Sequence, residues 1–214
     1  MPAVGESFRF PLTVVDGLRL SKPLRDALMP GRTVLDDQGH ERKLPRYFYE
    51  IPTWNVAMEL QLSPSFALWE FIQTDVREAA PLRGFPRYVP CAITLTALCL
   101  ERFREAVGTY VHIAANGGYR SPHHAQSGNA SPHSWGTAVN IYRIGDVYLD
   151  DREAIERYAA IARQSMPGAW TRPFGTSRGQ TDDQLHIDFG YVLSVPRDAP
   201  TEHLGFDAER RAAS

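Results

Sequence analysis

The sequence lacks most of the features that would place it in a special class. Only two cysteines occur among 214 residues, Cys91 and Cys99. On a predicted helix they stand about 12 Å apart by helical rise, beyond disulfide reach, so two buried free thiols and a reducing compartment are expected. No apolar run approaches the roughly eighteen residues of a transmembrane helix. The opening stretch MPAVGESFRFPL has neither a basic nor an apolar leader region, and a cytoplasmic location is the expectation. Neither sign of charge dominates: 23 Lys and Arg stand against 25 Asp and Glu. The basic residues are scattered, so nucleic acid and anionic membranes are not expected partners. Internal repeats and low-complexity tracts are also missing.

What is present is concentrated in Gly117 to Asn140, GGYRSPHHAQSGNASPHSWGTAVN, which is rich in Gly, Pro, Ser and Asn and carries Arg120, His123, His124 and His133. Such a stretch folds poorly by itself. Its backbone must be held by neighbouring strands while its side chains serve a ligand. A second polar and apolar alternation, Gln184 to Asp188, has strand period and is expected to meet the first in space.

Around these two stretches the pattern predicts a small α+β domain with a mixed or antiparallel sheet flanked by helices. Residues 32–35 and 43–44 flank a turn at 36–40 and read as a hairpin. Leu62 to Ile72 reads as a short helix with Ser63 as N-cap and Pro64 at its first position. A longer helix is predicted over Pro90 to Val107, ended by Gly108, and another over Arg152 to Met166 after Asp150 and Asp151. Strands are predicted at Thr109 to Ala115, Thr137 to Arg143 and Leu185 to Val192. His112 reads as a packed structural residue. His123 and His124 read as solvated, residues 171–183 as a loop, and the tail beyond Pro196 as peripheral. Tyr47, Phe48, Tyr49 and Trp54 read as core. The expected organisation is an N-terminal extension over 1–60, a main domain over 61–196 and a tail over 197–214.

A catalytic zinc takes three imidazole or carboxylate ligands and keeps one position open for water. His133, residue 140 at the end of an alternating strand, and His186 on the last strand are candidates for such a set. Taken alone, the two histidines could equally be polar surface groups.

The motifs Gly118-Tyr119-Arg120-Ser121-Pro122, Ser131-Pro132-His133-Ser134-Trp135-Gly136-Thr137-Ala138-Val139-Asn140, and His186-Ile187-Asp188 occur in that order. Together they resemble the M15 peptidases, D-Ala-D-Ala carboxypeptidase-like zinc enzymes with a hedgehog-type domain. The resemblance covers about Leu62 to Val192. It implies zinc held by His133, residue 140 and His186, with substrate contacts from Arg120, Tyr119 and Ser131. Asp183 would be the general base in an Asp-x-x-His arrangement, with Asp182 in reserve. It further implies short peptide or peptidoglycan-fragment substrates containing D-amino acids.

One departure stands out. The family pattern has an aspartate where this sequence has Asn140. A neutral amide is a weaker zinc ligand than a carboxylate. The site is then expected to be weakened but working, rescued by Asp188 or Asp146, or retained as a metal-free module binding a peptide or small anion.

Overall fold

The computed structural model describes residues 10–128, 130–176 and 182–200. Residues 177–181 of the predicted loop and the tail from residue 201 lie outside the described residues. In chain order the elements are β1 (Thr13–Asp16), α1 (Lys22–Leu28), β2 (Thr33–Leu35), β3 (Glu41–Lys43), β4 (Tyr47–Glu50) and α2 (Trp54–Glu59). They continue as β5 (Gln61–Ser63), β6 (Phe66–Ala67), β7 (Tyr88–Pro90), α3 (Ile93–Val107) and β8 (Val111–Ile113). The rest are β9 (Ala138–Ile144), β10 (Val147–Tyr148), α4 (Arg152–Ser165), β11 (Trp170–Thr171) and β12 (Leu185–Asp188). This is an α+β architecture built from several small antiparallel sheets.

The sheet that matters for function has the order β10-β9-β12-β11, with β8 also paired to β9. β12 lies antiparallel to β9 in a register that sets His186 opposite Asn140 and Asp188 opposite Ala138. Side chains on one face of a strand recur every second residue, so this register determines which groups meet. α3 and α4 pack on each other. The helix ends follow the local signals in the sequence. Gly108 closes α3 in the left-handed conformation at φ 69°, and the Asp151 side chain caps α4 by accepting from Ala154 N. No helix among the described residues is long and apolar enough to cross a membrane.

Residues 10–60 share a sheet and a core with the rest of the described chain. β1 and β4 form a three-stranded sheet with β7, and one apolar cluster runs from Leu12 to Ala199. Phe48 and Tyr49 are in that core, while Trp54 is 37% exposed and meets Phe85 edge-on. The 36–40 turn forms as expected between β2 and β3. Cys91 is buried just before α3, Cys99 is half-buried within it, and both thiols are free.

Two expected elements differ. Leu62 to Ile72 is not a helix but the short β5-β6 hairpin followed by a 3-10 turn over Leu68–Phe71. The reason is Glu101 on α3. It accepts from Ser63 Oγ at 2.8 Å, Ser65 N at 2.8 Å and Ser65 Oγ at 2.7 Å, so Ser63 is drawn into a tertiary contact instead of capping a helix. The last strand also stops at Asp188 instead of Val192. There Asp188 Oδ1 accepts from Gly190 N, and Gly190 turns left-handed at φ 71°.

Burial disfavours the charge on Glu101, but the hydrogen bonds from Ser65 and Ser63 outweigh it and hold the carboxyl below its ordinary value. A depressed carboxyl contributes stability that is complete above the unfolded value of about 4.3 and is lost as pH falls through the folded value. Glu101→Gln is therefore expected to cost about 1–3 kcal/mol at neutral pH and less in acid, because charged hydrogen bonds are replaced by neutral ones. Denaturant titrations at pH 7 and pH 3 check this; an equal cost at both would mean that the charge is not involved.

Candidate functional site

Gly117 and Gly118 hold the central loop against the sheet. A Cβ on Gly117 would meet the carbonyls of Ala114 and Asn140, and one on Gly118 would fall on the Phe71 carbonyl. Only hydrogen fits at either position. The approach allows Tyr119 N to donate to Phe71 O and Asn140 N to donate to Gly117 O. The loop's remaining turn is organised by Asn116, at φ 56°, whose Oδ1 accepts from Asp75 N and contacts His124 Nε2. His124 is consequently buried and not solvated as expected, while His123 is exposed.

Two histidines face each other where the loop meets β12. Their ring centroids are 5.2 Å apart, and both side chains are buried. His133, in the 3-10 turn Pro132–Trp135, donates from Nδ1 to the Gly118 carbonyl at 2.7 Å. A carbonyl only accepts, so this contact fixes the tautomer and leaves Nε2 as a lone pair. That Nε2 is buried without a hydrogen-bond partner. Burial, the Arg120 guanidinium and His186 push the His133 imidazole well below its ordinary value, so it is neutral.

On His186, Nε2 lies 2.9 Å from Asp188 Oδ2, and Nδ1 lies 2.8 Å from Asn140 Oδ1. Burial pushes this imidazole down too, against the opposing pull of Asp188. A neutral imidazole donates once, and the carboxylate takes that hydrogen. Nδ1 is then a lone pair pointing at a carbonyl oxygen, an unfavourable pairing unless a cation lies between them or the Asn140 amide is turned to present its nitrogen. Among the described residues no three His, Cys, Asp or Glu side chains form a metal-binding group. The donors converging here are two imidazoles and one amide.

Arg120 is 6% exposed; its Nη1 donates to Gln126 Oε1 at 3.2 Å and its Nε has no partner. Burial and repulsion from Arg172 and Arg77 bring its value down to about 10. Glu78, whose charge acts on it, is committed to Ser121 N, Ser121 Oγ and Ala79 N. This is a buried positive charge with spare donor capacity.

His186 lines a cleft of about 580 Å³, together with Asp188, Ser131, Gln126, Trp170, Arg172 and Tyr191, while His133 lies behind it, buried. The β2-β3 turn completes its wall with Asp36, Asp37 and Arg42. Burial opposes charge on Asp36, yet the His40 amide, the Arg42 guanidinium and the Gln38 amide hold its carboxyl at about 2. Arg42 in turn stands 4.5 Å over the Tyr191 ring, and Trp135 Nε1 donates to the Lys43 carbonyl. The hairpin is thus fastened to the site.

Of the residues expected at the site, His133, Asn140, His186 and Asp188 come together, with Ser131 on the cleft wall and Arg120 bonded to Gln126 of that wall. Tyr119 does not reach the cleft: it is 1% exposed and belongs to the core. Asp146 is exposed in the β9-β10 turn, beyond the far end of β9 from Asn140. Asp183 lines a different cleft, beside Glu70 and His112. His112, expected to be packed, is half-buried there and contacts Arg143. Trp170, Arg172, Tyr191 and the hairpin residues were not legible as site residues, since no motif or spacing links them to the histidines. Comparison with protein-family models, with curated proteins and with solved structures finds no match.

Proposed function

We propose that the chain is a zinc-dependent hydrolase of short peptides on an M15-like, D-Ala-D-Ala carboxypeptidase-like domain. One observation carries the reading. Each histidine has one nitrogen fixed by an acceptor, a backbone carbonyl for His133 and a carboxylate for His186, as metal-binding imidazoles are commonly oriented. Of their other nitrogens, His186 Nδ1 lies 2.8 Å from Asn140 Oδ1, and His133 Nε2 is buried without a hydrogen-bond partner. These three groups would hold the metal, with Asp188 orienting His186. Zinc bound there would polarise a peptide carbonyl and acidify a water molecule.

The protein's own groups account for substrate placement. Arg120 offers a desolvated guanidinium for a substrate carboxylate or carbonyl, and Ser131 a hydroxyl at the rim. Asp183, expected as proton acceptor from its Asp-x-x-His spacing, lines the other cleft, so the reading rests on the metal-binding groups and Arg120 and assigns Asp183 no proton transfer. Peptides or peptidoglycan fragments with D-amino acids are the proposed substrates. A second reading, a metal-free module binding a peptide or small anion at Arg120, is favoured by Asn140 itself. With its amide turned, Asn140, His186 and Asp188 form a satisfied hydrogen-bonded chain that needs no cation.

Elemental analysis of protein purified without chelator, together with zinc titration calorimetry, separates the two. The peptidase reading expects near-stoichiometric zinc, at least a hundredfold weaker binding in His133→Ala, and zinc-dependent release of D-Ala from D-Ala-D-Ala peptides. Absence of zinc binding by the unmodified protein would overturn it in favour of the module.

A further inference from the structure

The larger cleft, about 710 Å³, is not accounted for by the histidine pair. Asp183 and Gln184 line it while His186 lines the other, so the two clefts flank the start of β12. Its walls combine the rings of Trp69, Tyr142 and Tyr148 with the carboxylates of Glu70, Asp150 and Asp183, and among the described residues no Lys or Arg lines it. The rings form part of a row across the sheet: His112 and Tyr142 lie 6.0 Å apart by ring centroid, and Tyr142 and Tyr148 6.4 Å.

The carboxylates are unequally served. Arg172 acts on Asp183, and Glu70 Oε1 accepts from the Ala67 amide at 2.8 Å. The Arg143 guanidinium is engaged by the ring row, placed over Tyr148 and against His112 Nε2 at 3.1 Å. Among the described residues, Glu70 and Asp150 have no ion-pair partner in the cleft wall. Carboxylates beside aromatic rings in a concavity attract an organic cation twice, through charge and through the ring quadrupole.

We propose that this cleft binds an ammonium or guanidinium group carried on a short aliphatic arm, such as a basic side chain of a peptide. A neutral saccharide would satisfy the rings and the amides of Gln73 and Gln184 but would leave the carboxylates uncompensated. The inference does not depend on zinc, so it stands or falls separately from the peptidase reading.

The test is calorimetric titration of the full chain at low salt with three probes: N-acetyl-lysinamide, its neutral isostere N-acetyl-norleucinamide, and N-acetylglucosamine. Saturable binding of the lysine amide is expected, at least tenfold tighter than the norleucine amide and weakened by added salt. Glu70→Gln retains the acceptor for Ala67 N, and Asp150→Asn changes an exposed side chain, so both variants should fold, as a thermal melt verifies. Each is expected to weaken lysine-amide binding about tenfold, the scale of one lost charge contact. Equal binding of the isostere, preferential binding of the saccharide, no saturation by the lysine amide, or full binding in both variants would each overturn the proposal.

Discussion

Asn140→Asp is expected to tighten zinc binding about a hundredfold, equivalent to about 2.8 kcal/mol. Asn140 stands opposite His186 across the β9-β12 ladder with Oδ1 2.8 Å from Nδ1, so a carboxylate there would supply an anionic oxygen without changing the backbone. The change adds one negative charge beside two neutral imidazoles, which favours a divalent cation. Titration calorimetry of both proteins with zinc measures the difference. Unchanged affinity would show that residue 140 does not contact the metal. Zinc binding by the variant alone would mark the natural chain as disarmed at this one position.

Gly118→Ala is expected to lower stability by about 3 kcal/mol, near the upper end of overpacking costs. The added Cβ would fall on the Phe71 carbonyl, which already accepts from Tyr119 N, so neither segment can yield without breaking that bond. For a chain of this size the thermal midpoint should drop by about 6–12 °C. Gly84→Ala is the control: Gly84 is left-handed at φ 82° with open space around it, so only backbone strain of about 1–2 kcal/mol is expected. Equal losses in the two variants would refute the collision. Because the Gly118 carbonyl accepts from His133 Nδ1, the first variant should also lose orientation at the histidine, seen as weakened zinc binding, whereas the control should not.

The parts of the fold that were legible in the sequence are those whose signals are local. Gly108 and Asp151 mark the ends of α3 and α4 because a left-handed stop and a side-chain cap act within one helical turn. β9 was legible from its β-branched, alternating composition, and His133, Asn140 and His186 from motif order. What was not legible depends on distant partners. Ser63 looked like a cap, but its hydroxyl goes to Glu101 in α3. His124 looked solvated, but Asn116 and the Gln126 amide draw it inside. Tyr119 looked available to a ligand until the close approach at Gly118 placed it in the core. The contribution of the β2-β3 turn to the cleft depends on Arg42 meeting Tyr191, a contact between the two ends of the chain.

The antiparallel ladder between β9 and β12 has one more consequence. Asn140 meets His186 in a single alignment of the two strands, and a slip by one residue would turn His186 toward the opposite face and bring an aliphatic neighbour in its place. A misaligned chain therefore has no such donor set, so under the proposed zinc reading cation binding would report that the two strands have found each other. Any ion held there would favour the native alignment over its near misses, acting as a latch on late assembly as well as a participant in chemistry.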